Sequence, residues 1–542
     1  MDGQPRDRIM ARANRLAGAG QATDELRVAI DDHAAIRRTD IRAVAADTHL
    51  PIAAVTGSAT FYADLALPQR KTRHLRVCDG TACFVARDGA EPVPVTAEDT
   101  STQLVYCLGF CYAAPAMLDG TVPRTGVDQR PGPPIPYSRA APRAVTLAGL
   151  CAQELPWQEW PEVVTRRCWD AITSEVARSG LRGRGGAEFP AAEKWRAARC
   201  HPGSRYVVAN GDEGDPGSFC DRLLMERDPH RVLEGLALCG YAVGAHRGIV
   251  LVRSEYPAAL AAMRLAVEQA RTAGHLGQNV RDSGVDFDID VHEGAGSYTA
   301  GEETALLRSL TGLRGSVQAR PPYPTDCGIA GRPTVVHNVE TLAAIPWIVR
   351  HGGDAYAEMG RNTETGTKLV SLSAGFAAPG VYEVEFGVPL RDIVEKLGGG
   401  TCDGRPLRAV QVGGPLGGFL GPDDLDIAFT DAELAARAGV SLGHGGMVAI
   451  DDRVPAIALL RQLWRFAAEE SCGSCAPCRV GATRGRELSV RAASAQEATG
   501  PEVSRLLDIM RTGSMCAFGT GVAGAVRSLM RVYADEFSDG TP

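Results

Sequence analysis

The chain has 542 residues, too many for one ordinary hydrophobic core, so several domains are expected. An apolar share of 44% with 23% charged residues describes a globular protein in water, neither disordered nor embedded in lipid. The formal net charge of -8 argues against nucleic acid or anionic lipid as the main partner.

The opening residues, MDGQPRDRIMARANR, lack the apolar run of a secretory signal. No stretch reaches the roughly 18 uninterrupted apolar residues of a membrane span. The best candidate, Val232 to Val252, is broken by Glu234, His246 and Arg247. A cytoplasmic location is therefore expected. In that reducing compartment 15 cysteines, an odd number, are not a disulfide framework. Cys151, Cys168, Cys200, Cys220, Cys239, Cys327 and Cys402 are scattered and read as small buried hydrophobes. The other eight form two groups.

Residues Arg12 to Ala66 carry helical periodicity, with a glycine- and alanine-rich start. A short strand, Leu75 to Val77, then delivers Cys78, and Cys83 follows. A second, Leu104 to Tyr106, delivers Cys107, and Cys111 follows. C-x4-C and C-x3-C, each just after a β-run, place four thiolates on neighbouring loops at the end of one small sheet. Such a set suits a [2Fe–2S] cluster or tetrahedral zinc, and spacing alone leaves both open beside bare structural thiols. Val122 to Pro142, rich in proline and small polar residues, reads as a linker.

A helix over Pro161 to Ser179 leads into SGLRGRGGAEFPAAEKW (Ser179 to Trp195). Gly183, Gly185 and Gly186 let the backbone approach a flat ring or phosphate, with Arg184 and Lys194 as counter-charges. Strand-like runs at Tyr206 to Ala209, Gly248 to Arg253 and Phe287 to Val291 alternate with helical runs at Pro257 to Ala273 and Ala300 to Leu310, the pattern of an α/β layered domain. No G-x-G-x-x-G follows its first strand, so an ordinary dinucleotide fold is not expected. Asn210, Asp212, Glu213 and Asp215 cluster beyond a strand, where α/β folds bind ligands, and Glu302 and Glu303 follow a second glycine turn. Carboxylates there can accept hydrogen bonds from ribityl or ribose hydroxyls.

Thr367 to Gly399 reads as a hairpin turning at Pro379-Gly380 and then a helix. With short strands at Leu407 to Val412 and Met447 to Ile450 this suggests a β-grasp-like module. GGPLGG (Gly413 to Gly418) reads as a tight structural loop. From Val454 the pattern is helical, and SCGSCAPCR supplies Cys472, Cys475 and Cys478 before Cys516 arrives in SMCAFG. C-x2-C-x2-C with a distant fourth cysteine is the ligand grammar of a [4Fe–4S] cluster. Acidic turns, a glycine turn and iron–sulfur sites in one chain favour a flavin, which converts a hydride pair into single electrons.

The stretches GLRGRGGAEFP, NGDEGDPGSF, EGAGSYTAGEETALL, RPPYP, GRPTVVHNVETL, ESCGSCAPCR and MCAFG resemble the NADH-binding flavoprotein subunit of respiratory complex I and its soluble relatives. Those relatives are the diaphorase subunits of NAD-reducing hydrogenases and NAD-dependent formate dehydrogenases. TFYADL, CDGTAC and CLGFCYAAP resemble the thioredoxin-like [2Fe–2S] subunit that accompanies it, here fused. The resemblance implies a multidomain α/β chain. Its expected parts are a helical region over 1–70, a thioredoxin-like [2Fe–2S] domain over 71–140, a Rossmann-like FMN/NADH domain over 150–350, a β-grasp-like module over 365–450 and a helical [4Fe–4S] bundle over 454–542.

It further implies FMN contacts at Gly183, Arg184, Gly185, Lys194, Asn210, Asp212, Glu213, Tyr298, Gly301, Glu302, Asn338 and Thr341. NADH contacts fall at Phe189, Asp215, Glu303, Arg320 and Tyr323, with Glu303 and Asp215 placed around the nicotinamide nucleotide. The [2Fe–2S] ligands would be Cys78, Cys83, Cys107 and Cys111, and the [4Fe–4S] ligands Cys472, Cys475, Cys478 and Cys516. Glu188 stands where the family has glycine, Ala192 and Glu193 replace Gly-Leu, and His337 replaces an asparagine. The interval from Cys83 to Cys107 is shorter than the family's.

The implied activity is hydride transfer between NAD(H) and FMN with single electrons passed through clusters to or from a partner subunit. That partner, molybdopterin- or nickel-bearing, would hold the second half reaction. A molybdenum or tungsten formate dehydrogenase is the first expectation and an NAD-reducing hydrogenase the second. A non-catalytic iron–sulfur relay is the rival from another class.

Overall fold

The computed structural model describes residues 21–33, 35–66, 73–93, 99–166, 169–492 and 497–538. Cys168 and the first part of the amino-terminal helical stretch lie outside them. Helices α1 (Gln21–His33), α2 (Arg38–Asp47) and α3 (Ile52–Ala59) share a small core with Ala295. They grip the turn around residue 296. Ala63 N–H donates to the Gly296 carbonyl at 2.9 Å, and Ser58 Oγ donates to Gly312 O at 2.8 Å.

Strand β1 (Arg73–Cys78), helix α4 (Thr81–Val85) and strands β2 (Thr100–Val105), β3 (Ala116–Asp119), β4 (Val122–Thr125) and β5 (Arg130–Pro131) follow. They form a five-stranded sheet in the order β2-β1-β3-β4-β5, with β1 and β2 parallel. Here the sequence reading of 122–142 as a linker is corrected. Two strands of this sheet occupy it, and a third, β6 (Tyr137–Arg139), runs parallel to residues 381–383 of a distant sheet. Its hydrogen-bond partners lie far downstream in the chain, so local composition carried no sign of them.

Helices α5 (Glu159–Arg166), α6 (Trp169–Ser179) and α7 (Ala191–Arg199) flank the glycine turn. Then come β7 (Tyr206–Gly211), α8 (Cys220–Arg227), α9 (Pro229–Val243), β8 (Arg247–Val252), α10 (Pro257–Thr272), β9 (Asp288–Glu293), α11 (Glu303–Leu310), β10 (Thr334–Asn338) and α12 (Val339–His351). The four strands pair in parallel in the order β10-β7-β8-β9. Proline at the first turn and left-handed Gly244 just past the end delimit α9, whose interior is almost wholly buried against the sheet.

Strands β11 (Thr367–Leu372), β12 (Gly380–Glu385), β13 (Leu407–Val412), β14 (Gly418–Leu420) and β15 (Gly446–Asp451) join β6 in a six-stranded mixed sheet, β14-β13-β15-β11-β12-β6. One turn of π-helix, Asp392–Leu397, stands where the sequence suggested an ordinary helix. Helices α13 (Ala456–Glu470), α14 (Ala476–Arg491), α15 (Pro501–Gly513) and α16 (Ala517–Val532) close the chain. Among the described residues no helix is long and apolar enough to cross a membrane. Cys220 and Cys239 are buried as expected, whereas Cys151, Cys200, Cys327 and Cys402 are exposed, a correction to their reading as core residues.

Candidate functional site

The site gathers at the carboxyl edge of the parallel sheet, where strand ends leave backbone groups free for ligands. Gly183 N–H donates to Phe189 O at 3.0 Å, closing the glycine turn. Gly185 is exposed, and a Cβ there would stand 3.1 Å from the Asn338 Cβ, so a larger residue would push the turn and Asn338 apart by a few tenths of an ångström. The expectation of Arg184 as a free counter-charge is corrected. Its guanidinium is buried, donating to Tyr356 OH at 2.6 Å and Thr365 O at 2.7 Å, 4.6 Å over the Phe386 ring. Its backbone N–H donates to Thr341 Oγ1 at 2.9 Å, so Thr341 locks the turn from behind. Lys194 remains the cation of this wall, with Nζ 2.8 Å from Glu303 Oε2 and 3.2 Å from Val336 O.

The acidic turn after β7 is held by its own members. Asn210 Nδ2 donates to Gly301 O at 2.8 Å, and its Oδ1 accepts from Asp212 N–H at 3.1 Å. Burial pushes the Asp212 carboxyl up to about 8, only partly offset by Arg253. Burial also raises Asp215, against the opposing hydrogen bond from Tyr298 OH. Glu213 departs from its expected role as a hydroxyl acceptor. Its carboxylate already accepts from Ser218 Oγ at 2.8 Å, Asp221 N–H at 3.1 Å and Arg222 N–H at 3.0 Å, capping the start of α8.

The second acidic turn divides its work similarly. Glu302 caps α11 by accepting from Thr304 N–H at 2.9 Å and Ala305 N–H at 3.1 Å. Arg320 bridges Glu302 and Glu303, with 3.2 Å to the latter. Phe189, in the glycine-turn stretch, and Tyr323, three residues after Arg320, leave 50% and 53% of their surface exposed. Glu188 adopts φ +48, and burial with Asp431 and Glu364 nearby lifts its carboxyl to about 7. His337 lies behind the wall rather than in it. It is buried and accepts from Trp195 Nε1 at 2.8 Å, and burial with Lys194 lowers it to about 3, so the neutral ring is the acceptor.

Both cysteine groups converge. Cys78, Cys83, Cys107 and Cys111 are all buried, and the sulfurs of Cys107 and Cys111 are 3.7 Å apart. Gly109 N–H points at Cys107 Sγ and Gly217 N–H at Cys111 Sγ, each at 3.3 Å. Four sulfurs ringed by backbone donors and no carboxylate ligand fit a [2Fe–2S] cluster. Cys472, Cys475, Cys478 and Cys516 line one cavity with Thr299, Val317 and Phe518, a largely apolar set that fits a [4Fe–4S] cluster. Tyr298 connects the parts, bonding to Asp215 at one end while its ring meets Phe518 edge-on at 5.6 Å.

Sequence reasoning missed the groups behind the wall: Asp221, Glu340, Lys368 and His444, all buried. A charged residue inside an apolar run was the available signal only for Lys368, in TKLVSL.

The family model described as the Nuo51 FMN-binding domain matches residues 176–347. The NADH-ubiquinone oxidoreductase-F iron-sulfur binding region matches 458–540, and the thioredoxin-like [2Fe-2S] ferredoxin matches 8–123. The chain is 41% identical over 369 residues to the NADP-reducing hydrogenase subunit HndC of Solidesulfovibrio fructosivorans, spanning 68% of this chain and 75% of the relative. It is 37% identical over 377 residues to an NADH-quinone oxidoreductase subunit of Escherichia coli (strain K12), spanning 68% and 84%. Among solved structures, an NAD+-reducing [NiFe]-hydrogenase in the H2-reduced state superposes with a TM-score of 0.82 at 29% identity, covering 94% of this chain and 91% of that one. The fused amino-terminal cluster domain, the glycine and acidic turns and the carboxyl-terminal cysteine cavity thus have matched counterparts, and the chain belongs to the family of FMN- and iron–sulfur-bearing NAD(P)H dehydrogenase subunits found in NADH-quinone oxidoreductases and NADP-reducing hydrogenases.

Proposed function

We propose that this chain is the diaphorase subunit of a multi-subunit dehydrogenase, exchanging hydride with NAD(H) at one pocket and single electrons with a partner. The observation that carries the reading is one arrangement: the stretch after the glycine turn is tied by Lys194 to Glu303, Asn210 ties the first acidic turn to Gly301 in the second, and these turns stand between two four-cysteine sites. FMN, when bound, accepts the hydride pair and releases electrons singly. Gly183, Gly185, Lys194, Asn210, Asp212, Gly301 and Asn338 would form its bed. Arg184, Glu213, Tyr298, Glu302 and Thr341 would fix that bed from behind.

Phe189 and Tyr323 would sandwich the nucleotide, Arg320 would meet its phosphates, and Glu303 and Asp215 would orient its sugar and amide. No side chain needs to form a covalent bond. Their work is to hold two rings in hydride-transfer contact and keep water out. The domain boundaries we adopt are those of the sequence reading, except that 137–139 belongs to the β-grasp-like sheet.

For the partner we retain a molybdenum or tungsten formate dehydrogenase. The second reading, an NAD-reducing hydrogenase, has its own support in the likeness to an NAD+-reducing [NiFe]-hydrogenase over 94% of the chain. Two measurements test the proposal. The FMN-loaded chain should reduce ferricyanide with NADH, and a flavin-replete chain that cannot do so sinks the activity. Copurifying protein should carry molybdenum or tungsten, and nickel in its place would select the hydrogenase.

A further inference from the structure

Behind Asn338 lies a buried charge cluster that the flavin reading does not use. Asn338 Nδ2 donates to Asp221 Oδ2, and its Oδ1 accepts from Glu340 N–H at 2.9 Å. Asp221 Oδ1 accepts from the same Glu340 N–H at 3.1 Å. Glu340 pairs with Lys368 Nζ, which also donates to His444 O at 3.0 Å. His444 then closes the group from the loop before β15. Its Nε2 stands 3.1 Å from Asp221 Oδ2, the oxygen that also accepts from Asn338, and 3.2 Å from Asn338 Nδ2 itself, while its Nδ1 stands 2.9 Å from Ser218 Oγ and 3.4 Å from Glu213 Oε1. All five ionisable groups are buried.

Three carboxylates face one lysine if the imidazole is neutral, a deficit that a dry interior penalises heavily. Burial opposes charge on His444, but contact with Cys220 and Asp221 outweighs it and holds the ring well above its usual value. A cationic ring donates at both nitrogens, from Nε2 toward Asp221 in the first turn of α8 and from Nδ1 toward Ser218 and Glu213 in the acidic turn before it.

We infer that His444 is a positioning residue for the flavin site. From the β-grasp-like module it holds Asp221 and the Glu213 turn together, and through Asp221 it fixes the carboxamide of Asn338. This rests on the proposal that Asn338 contacts FMN. It adds to the contact that the module already makes there through Gly414, which packs against Asp215.

The same atoms invite a rival reading, because Glu213, Cys220 and His444 offer one ligand atom each within 4.8 Å of one another. The hydrogen bonds above already engage the carboxylate and both ring nitrogens, and at 3.8 Å Cys220 Sγ is in hydrogen-bond contact with His444 Nε2, so the ligand atoms are spent on one another.

The test is FMN titration of the full-length chain, followed by flavin fluorescence, in wild type, His444→Gln and His444→Lys. Gln keeps a polar side chain without the charge, and Lys restores a cation. Losing a buried charge-assisted pair should weaken FMN binding by about tenfold or more in His444→Gln. His444→Lys should stay within about threefold of wild type, with iron content unchanged in both. Wild-type FMN affinity in His444→Gln overturns the inference, as does equal impairment of the two variants. A metal equivalent beyond cluster iron that is lost in His444→Gln overturns it in favour of a metal site. Wild-type chain that takes up no FMN at all would instead refute the functional reading beneath it.

Discussion

Glu188 shows what one residue adds to an inherited pocket. At φ +48 a side chain with a Cβ costs about 1 kcal/mol that glycine does not. Glu188→Gly should therefore raise thermal stability slightly, and a lowered unfolding temperature would show that the side chain stabilises the turn. Its protonation adds a pH effect. The folded carboxyl, raised to about 7 from 4.5, holds its proton longer than the unfolded one. Its stability contribution is thus complete below about 4.5 and lost as pH rises through about 7. With the nucleotide bound as proposed beside Phe189, the ionised form would stand near its negative charge, so KM for NADH should rise across the same interval in wild type and flatten in Glu188→Gln. A parallel rise in the variant would place the responsible group elsewhere.

His337 carries the opposite sign. Folded, it stays neutral down to about 3, whereas unfolded it takes a proton near 6.5. Stability is present above 6.5 and lost as pH falls below it. His337→Asn keeps an acceptor within reach of Trp195 but does not titrate, so denaturant midpoints measured about one pH unit below and above 6.5 should converge in the variant. Unchanged separation of the two midpoints would mean that another buried group dominates.

At the scale of elements, much of the fold was written in local periodicity. The parallel strands β7 and β8 fall within a residue or two of the runs read from the sequence because they are largely buried apolar segments, and the edge strand β9, DIDVHE, is as close through its alternation of polar and apolar residues. The glycine and acidic turns were equally legible, since unusual composition marks a backbone that must approach something. What was not legible is which side chains in those turns face outward. Arg184 and Glu213 look like ligands in sequence and serve as fasteners in space: the partner of Arg184, Tyr356, comes from a distant segment, and Glu213 turns its carboxylate onto the start of α8 a few residues on.

The strand β6 was hidden for the same reason, and Glu383 shows how it is anchored. The buried carboxylate accepts from Val145, Thr146 and Leu147 N–H at 3.0, 2.7 and 3.1 Å, and from Thr367 Oγ1 at 2.7 Å. Removing it strands three buried amide donors, each worth about 1–3 kcal/mol unsatisfied. Glu383→Ala should lower stability by roughly 3 kcal/mol or more, while Glu383→Gln, retaining one acceptor oxygen, should lose less. Equal losses in the two would show that volume rather than hydrogen bonding holds this junction.

For the whole molecule the decisive fact is that the acidic turn is shared. Gly217 in that turn donates to a sulfur of the amino-terminal cluster site, and Asp215, two residues earlier, is tied by Tyr298 to the ring that lines the carboxyl-terminal one. Electrons leaving the pocket therefore have two directions, and the surroundings of the two sites differ. The amino-terminal sulfurs are buried throughout, whereas Cys475 and Cys516 are partly open beside Met515, itself 43% exposed. The second site has the more open thiols, so that cluster should be the exit and the first a side site. Cys107→Ala should lose about two of some six iron atoms per chain yet still pass electrons from NADH to the partner complex. Cys516→Ala should keep NADH-driven bleaching of the flavin but stop transfer to the partner. Stopped-flow absorbance with the purified complex reads both steps, and a Cys516→Ala chain that still delivers electrons while Cys107→Ala does not would reverse the assignment.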